Sequence, residues 1–200
     1  MPRGQVRIIG GEYRGRKLKI SPLADIRPTP DRVRETLFNW LAPIIAGSCC
    51  LDLFTGSGAL GFEALSRGAS HVTMVDQSIA VVKLISEEIA LFGAKNAAVY
   101  QAKIPREWPN FFHKIFDIVF LDPPYHENLL LPLCKMLEEK RLLAHPAFIY
   151  LESNDALDDT FLPANWNIIK HKKAGQVNYY LVKRKGETYA EAMDTKPKSP

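Results

Sequence analysis

Leu51-Asp52-Leu53-Phe54-Thr55-Gly56-Ser57-Gly58-Ala59-Leu60-Gly61 reads as a short apolar strand, a tight glycine turn and the start of a helix. The glycines let the backbone turn sharply and approach a ligand closely. The spacing is a literal G-x-G-x-x-G, and Asp76 stands 20 residues beyond Gly56 at the end of the next apolar run. A carboxylate in that place holds ribose hydroxyls, so the loop predicts a ligand with an adenosine-type ribose. The loop alone leaves open whether that ligand is a nicotinamide dinucleotide or a sulfonium methyl donor. Asp52, just before the turn, favours the donor. It can face a positively charged amino-acid moiety, and it would repel a pyrophosphate.

Outward from this loop, short apolar runs alternate with helical patterns. Cys49–Phe54, His71–Asp76, Ala98–Ala102, Phe116–Leu121 and Ala147–Glu152 read as strands. Several are continuously apolar, as in a parallel sheet buried on both faces. Helices are expected at Ala59–Arg67, Ser78–Phe92 and Asn128–Lys140, with a weak one near Arg106–Phe112. In Ser78–Phe92, Ile79, Val82, Ile85, Ile89 and Phe92 recur at helical spacing behind a serine N-cap. The alternation predicts an α/β fold with a doubly wound, mostly parallel seven-stranded sheet. Trp166–Lys172 and Val177–Arg184, joined at Ala174-Gly175, are expected to add an antiparallel edge hairpin.

The first part of the chain differs. Val6–Ile9 and Lys17–Ile20 flank Gly10-Gly11 and Gly15, which predicts a small basic hairpin. Asp31 can cap a helix carrying Val33, Leu37, Leu41 and Ile44 as an apolar stripe, with Phe38 and Ile45 beside it. Residues 1–47 are therefore read as an appendage, 48–185 as the ligand-binding domain and 186–200 as a flexible tail.

The composition, 46% hydrophobic and 24% charged, is that of a soluble globular protein. No run is long enough for a membrane helix, and Met1-Pro2-Arg3-Gly4 opens no signal peptide. Cys49, Cys50 and Cys134 have no metal-ligand spacing and make no disulfide framework, so reduced thiols in the cytoplasm are expected. The net charge of +4 is unevenly spread, with +6 carried by residues 1–34 and −2 by the rest. The basic segment is either a solvated surface or the contact for a polyanion.

Leu121-Asp122-Pro123-Pro124-Tyr125 follows the strand Phe116–Leu121, on the same sheet edge as the glycine loop. Consecutive prolines fix φ and force a rigid, extended turn after Asp122. The Asp122 carboxylate and the Pro123 carbonyl then become fixed acceptors for an exocyclic amine. Tyr125 offers a flat face for a stacked base, a contact worth about 1–3 kcal/mol. A base amine is a poor nucleophile because its lone pair is delocalised into the ring. Hydrogen bonds from its N–H groups return electron density to nitrogen and aim it at a sulfonium methyl. Neither a metal nor a covalent nucleophile is required. The motif serves adenine and guanine equally well.

With both motifs placed, the chain resembles the Rossmann-like S-adenosylmethionine methyltransferases, and within them the small-subunit ribosomal RNA guanine-N2 methyltransferases of the RsmD type. The resemblance is carried by Arg7-Ile8-Ile9-Gly10-Gly11, Arg14-Gly15-Arg16-Lys17-Leu18 and the run Arg27-Pro28-Thr29-Pro30-Asp31-Arg32-Val33-Arg34-Glu35-Thr36-Leu37-Phe38-Asn39-Trp40-Leu41. The glycine loop, with Glu63-Ala64-Leu65-Ser66-Arg67-Gly68-Ala69, continues it, and the similarity spans residues 3–184.

The resemblance implies S-adenosylmethionine as cofactor, with Asp52, Phe54, Gly56, Gly58 and Asp76 around it and no metal. It implies a guanine of small-subunit (16S) ribosomal RNA as target, held by Asp122, Pro123, Pro124 and Tyr125. A partly assembled subunit is the implied partner, and a monomeric cytoplasmic enzyme is expected. Arg7, Arg14, Arg16, Lys17, Arg27, Arg32 and Arg34 are the implied RNA contacts, unless Arg34 pairs with Asp31 or Glu35 on its helix. Where the family places an acidic residue after the third strand, this chain reads Tyr100-Gln101-Ala102-Lys103-Ile104, a departure on the adenine side. Phe38 and Trp40 read as core, Glu152 as a cleft residue or a helix cap, and His126 as a loop histidine.

Competing readings remain distinct in what they leave unused. A DNA adenine-N6 methyltransferase would share the tetrapeptide but lacks a segment for DNA recognition. An NAD-dependent oxidoreductase would leave the proline motif without a task. An RNA-binding module without activity would use neither motif.

Overall fold

The computed structural model describes residues 5–20, 29–108, 114–124 and 129–186 of the 200-residue chain. Two short strands, β1 (Gln5–Arg7) and β2 (Lys17–Lys19), pair antiparallel as the expected hairpin. Helix α1 (Asp31–Leu41) follows. The main sheet then alternates with helices: β3 (Cys49–Asp52), α2 (Ala59–Ser66), β4 (His71–Asp76), α3 (Ile79–Phe92), β5 (Ala97–Gln101), β6 (Phe116–Leu121), α4 (Leu130–Glu139) and β7 (Leu143–Ser153). Strands β8 (Trp166–Ala174) and β9 (Val177–Arg184) complete it.

The sheet order is β5-β4-β3-β6-β7-β9-β8, parallel through β7 and antiparallel beyond. The chain winds outward from β3 to β5, then returns to lay β6 on the other side of β3. That reversal makes the carboxyl ends of β3 and β6 the switch point, where ligands bind in such sheets. The C-terminal hairpin is inserted with its second strand inward, since β9 pairs with both β7 and β8.

Two buried layers flank the sheet. On one face α1, α2 and α3 supply Leu37, Phe38, Leu60, Phe62, Val81 and Ile85 against Cys50, Met74, Ile118, Phe120 and Tyr150. On the other, Leu133, Cys134 and Leu137 of α4 meet Leu51, Val119, Leu121 and Ile149. Phe38 is fully buried against Phe120, and Trp40 stacks on Tyr179 with ring centroids 5.5 Å apart. All three cysteines are free.

Every residue of α2 is buried, which an amphipathic surface helix never shows. The reason is the hairpin, which covers the side of α2 turned away from the sheet. Gly11 sits on it with φ 75°, and a Cβ there would fall 1.8 Å from the Ser66 carbonyl oxygen. Ser66 Oγ accepts the Tyr13 N–H at 2.8 Å and donates to the Gly10 carbonyl. The hairpin and α1 thus share the main core through Ile8, Leu18, Val33 and Leu41.

Several expected boundaries move. Asp31 does not cap α1: the cap position is Pro30, and Asp31 enters the first turn to pair with Arg34 at 2.6 Å. Residues 104–106 form a turn, so the weak helix near Arg106 is absent among the described residues, while 109–113 lie outside them. Strand β7 starts at Leu143, earlier than its apolar run: Leu143 pairs with Phe116, and the register with β6 then shifts before Ile118 meets Phe148. The expected tail falls almost wholly on 187–200, outside the described residues.

Candidate active site

Asp52 closes β3 and is 3% exposed. Its Oδ2 accepts the Thr55 hydroxyl at 3.1 Å, and the Gly61 and Phe54 backbone N–H groups also bond it. Among the described residues no lysine or arginine pairs with it. Burial outweighs the hydrogen bonds and, with the nearby Asp76 charge, pushes the Asp52 carboxyl up to about 7. A buried acid without a counter-cation is suited to a positively charged ligand group.

Asp76 ends β4 and braces the loop from the neighbouring strand. Its Oδ2 accepts the Gly56 N–H at 3.0 Å, and its Oδ1 accepts the Ser78 N–H at 2.8 Å. Burial raises its carboxyl as well. Ser78 is the N-cap of α3, with Oγ accepting the Val81 N–H at 3.4 Å.

Gly56 and Gly58 both take positive φ, 49° and 75°. At Gly58 an added Cβ would meet Ile85 Cδ1 at 2.6 Å, so packing on α3 already demands glycine there. Gly61 lets α2 close on the sheet, with Met74 Sδ 2.7 Å from where a Cβ would sit. Phe54 is half-buried against the α4-side core.

Asp122 and the prolines continue from β6. Register pairs Leu121 with Leu151 and Phe120 with Tyr150. One step further, Asp122 stands opposite Glu152, and alternation puts both on the Phe120–Tyr150 face. Asp52 pairs with Phe120 across β3, so three carboxylates gather at the ends of β3, β6 and β7. The half-buried Asp122 carboxyl is held well above the usual carboxylate range by burial, then by Glu152, then by Asp52. Pro123 is buried and Pro124 half-buried. Tyr125 and His126 lie outside the described residues.

Glu152 is no helix cap. It belongs to β7, is 5% exposed, and its Oε1 accepts the Tyr150 hydroxyl at 2.5 Å. Thr29 Oγ1 stands 3.5 Å from the same oxygen, so the segment entering α1 reaches the site. At the end of β5, Gln101 Nε2 donates to the Gln77 carbonyl at 3.3 Å and Lys103 is exposed. Glu107, which the sequence reading passed over, accepts the Lys103 N–H at 3.0 Å.

The expected RNA contacts are spread apart. Arg34 is fully buried: it donates to the Arg7 carbonyl at 2.9 Å, pairs with Asp31, and lies 3.7 Å from Glu63. A guanidinium so enclosed reaches no phosphate, which removes Arg34 from the RNA-facing set. Arg16 is exposed, yet its guanidinium covers the Phe92 ring at 3.6 Å and donates to the Leu91 carbonyl at 3.2 Å. That is the far end of α3, about 20 Å from Ser78 at 1.5 Å per residue. Arg7, Arg14, Lys17 and Arg32 are exposed, Arg7 lying 3.8 Å from Asp31. Arg27 lies outside the described residues.

Among the described residues no group of His, Cys, Asp or Glu is arranged to hold a metal ion, and no helix is long and apolar enough to cross a membrane.

Residues 6–183 match the family model described as Conserved hypothetical protein 95. Over 194 residues the chain is 43% identical to Ribosomal RNA small subunit methyltransferase D of Escherichia coli, spanning 94% of this chain and 95% of that one. The solved structure of yhhF from Escherichia coli superimposes with a TM-score of 0.81 at 43% identity, covering 92% of this chain and all of that one. A distant structure determined as a complex with SAH shares the fold, with a TM-score of 0.64 at 14% identity over 92% of this chain and 57% of its own. The chain belongs to the Conserved hypothetical protein 95 family, alongside the proteins named ribosomal RNA small subunit methyltransferase D, and it is a methyltransferase.

Proposed function

We propose that the protein methylates the exocyclic N2 amine of one guanine in small-subunit ribosomal RNA, using S-adenosylmethionine. The observation that carries this reading is the placement of the rigid Asp122-Pro123-Pro124 turn beside Asp52 at the switch point of the sheet. The name of the Escherichia coli relative supplies the substrate class.

The donor set fits the cofactor. Asp52 would face its ammonium group, Asp76 its ribose hydroxyls, and the Gly56–Gly58 backbone and Phe54 would line its path. When bound, the cofactor supplies a methyl group on a sulfonium. Asp122 and the Pro123 carbonyl accept the two N–H bonds of the guanine amine and hold its lone pair toward that methyl. Asp122, whose carboxyl is already drawn toward protonation, is placed to take the proton the amine releases. Tyr125 would close the base from one side. Arg7, Arg14, Lys17 and Arg32 would meet phosphates, with the substrate a partly assembled subunit and the enzyme a cytoplasmic monomer.

The test is transfer of a labelled methyl group to small-subunit particles lacking the modification, followed by nucleoside analysis. N2-methylguanosine is the expected product. N6-methyladenine, or label in DNA, would overturn the reading.

A further inference from the structure

Positive charge in this chain is not confined to its first part. Near its end, β8 carries Lys170-His171-Lys172-Lys173, four exposed residues on the open edge of the sheet. Strand β9 runs antiparallel to both β7 and β8, so β8 points the same way as β7. Its last residues therefore reach the edge that carries Asp52 and Asp122. Through Tyr179 of β9, Lys172 stands in line with Glu152; through Asn178, Lys173 stands in line with Ser153.

Lys170 and Lys172 lie opposite Leu181 and Tyr179, which belong to the α1-side core, the face that also carries Asp122. The row Asp122, Glu152, Tyr179, Lys172 crosses the sheet over a span of about 14 Å, at the usual strand spacing. His171 is turned to the other face, where its ring stacks on Tyr180 at 4.4 Å and its Nε2 meets Asn178 Oδ1 at 3.1 Å.

Two ordinary roles do not account for the lysines. Charged side chains guard open sheet edges against pairing with other chains, but guards are needed along the whole strand. The first part of β8, Trp166-Asn167-Ile168-Ile169, carries no charge, and Ile169 stands there 41% exposed. Nor do ion pairs hold the lysines. Among the described residues no carboxylate pairs with Lys170, Lys172 or Lys173, and that includes Asp155 in the loop after β7. Unpaired cations so close together raise a positive potential at one corner of the reactive edge, which draws an extended polyanion.

We propose that Lys170, Lys172 and Lys173 bind the ribosomal RNA backbone beside the target guanine. The inference rests on the ribosomal RNA reading above. A base drawn out of its stack into a pocket leaves its flanking phosphates at the rim. The RNA then runs from the Asp122 turn outward across the ends of β7 and β9 to the end of β8. The N-terminal hairpin sits elsewhere: Tyr13 is tied to Ser66 at the far end of α2, and Arg16 to Leu91 at the far end of α3. The β8 lysines thus set the path of the nucleotides next to the reacting base.

The test uses the full-length protein and small-subunit particles lacking the modification. One variant combines Lys170→Gln, Lys172→Gln and Lys173→Gln. Its slope of log K against log salt should become shallower by about 2, at roughly 0.7 for each lost phosphate contact. KM for the particles should rise about tenfold or more at moderate salt, while kcat and the melting temperature stay at wild-type values. Arginine at the same positions should restore both slope and KM. Lys95→Gln, Lys114→Gln and Lys185→Gln remove equal charge from exposed positions at the opposite sheet edge and should leave the slope unchanged. With a benzophenone amino acid in place of Lys172, light should crosslink the protein within a few nucleotides of the methylated guanine.

An unchanged slope in the β8 variant would overturn the inference, and so would an equal loss in both variants, which would trace to net charge. Crosslinks to a ribosomal protein or to distant RNA would overturn it as well. A joint fall in kcat and melting temperature, with KM unchanged, would mark a merely structural role and do the same. If wild type makes N2-methylguanosine while the β8 variant binds as before, the inference alone fails. If wild type makes none, the proposed function fails and takes the inference with it.

Discussion

Glu63 Oε1 accepts the backbone N–H of Gly10 at 2.9 Å, and this bond ties the basic hairpin to the helix that starts in the glycine loop. Its other oxygen accepts the Ile9 N–H at 2.8 Å, and Arg67 Nε donates to Oε1 at 2.8 Å. A fully buried carboxylate, with Ser66, thus holds the hairpin on the helix that follows the glycine loop.

Removing that carboxylate leaves the enclosed Arg34 with Asp31 as its remaining ionic partner. Breaking one side of a buried ion pair costs about 3–5 kcal/mol. Glu63→Ala should therefore lower the melting temperature by on the order of 10 °C. Circular dichroism melts measure this, and an unchanged midpoint would contradict the anchoring role.

Gly58→Ala should damage the loop through packing. The new methyl would press on Ile85 and Phe62 at a backbone φ of 75°. Overpacking of this kind costs about 1–3 kcal/mol, and the left-handed conformation adds about 1–2 more. Calorimetry with S-adenosylhomocysteine should show weaker binding together with a lower melting temperature. Wild-type binding would mean the loop tolerates the methyl group.

The Asp52 carboxyl, raised to about 7, sets two pH dependences of known sign. An ammonium ligand needs the ionised form, so S-adenosylhomocysteine affinity should fall about tenfold from pH 8 to pH 6. In the ligand-free protein the folded state holds this proton more tightly than the unfolded chain, whose carboxyl titrates near 4. The resulting stabilisation is full below about pH 4 and is lost as pH rises through about 7. Asp52→Asn should abolish the affinity change and flatten this part of the stability profile. A pH-independent affinity in the wild type would place the cationic group elsewhere.

Arg14→Ala combined with Lys17→Ala should weaken particle binding and flatten its salt dependence. Each lost phosphate contact reduces the slope of log K against log salt by roughly 0.7–0.9. Catalysis at saturating substrate should change little, because the contacts lie away from the carboxylate cluster. A steep slope retained in the double variant would mean these side chains are solvated surface.

Much of the fold was legible because continuous apolar strands and helical spacing are local signals. His71–Asp76, Phe116–Leu121 and Val177–Arg184 fall where the sequence places them. The insertion of β9 between β7 and β8 was not legible, since pairing order leaves no local pattern. Arg34 misled for a related reason. It stands between the charged Arg32 and Glu35 in the sequence, and the groups that bury it, Glu63 and the Arg7 carbonyl, come from distant segments. Asp52 and Asp122 were readable from their turns, whereas Glu152 gained its meaning only from strand register.

The most direct test of the central claim is mass mapping of small-subunit ribosomal RNA from cells lacking this protein. The account predicts that one N2-methylguanosine disappears, returns with the wild-type protein and does not return with Asp122→Ala, although that variant still binds S-adenosylhomocysteine. An unchanged methylation map, or restoration by Asp122→Ala, would contradict it.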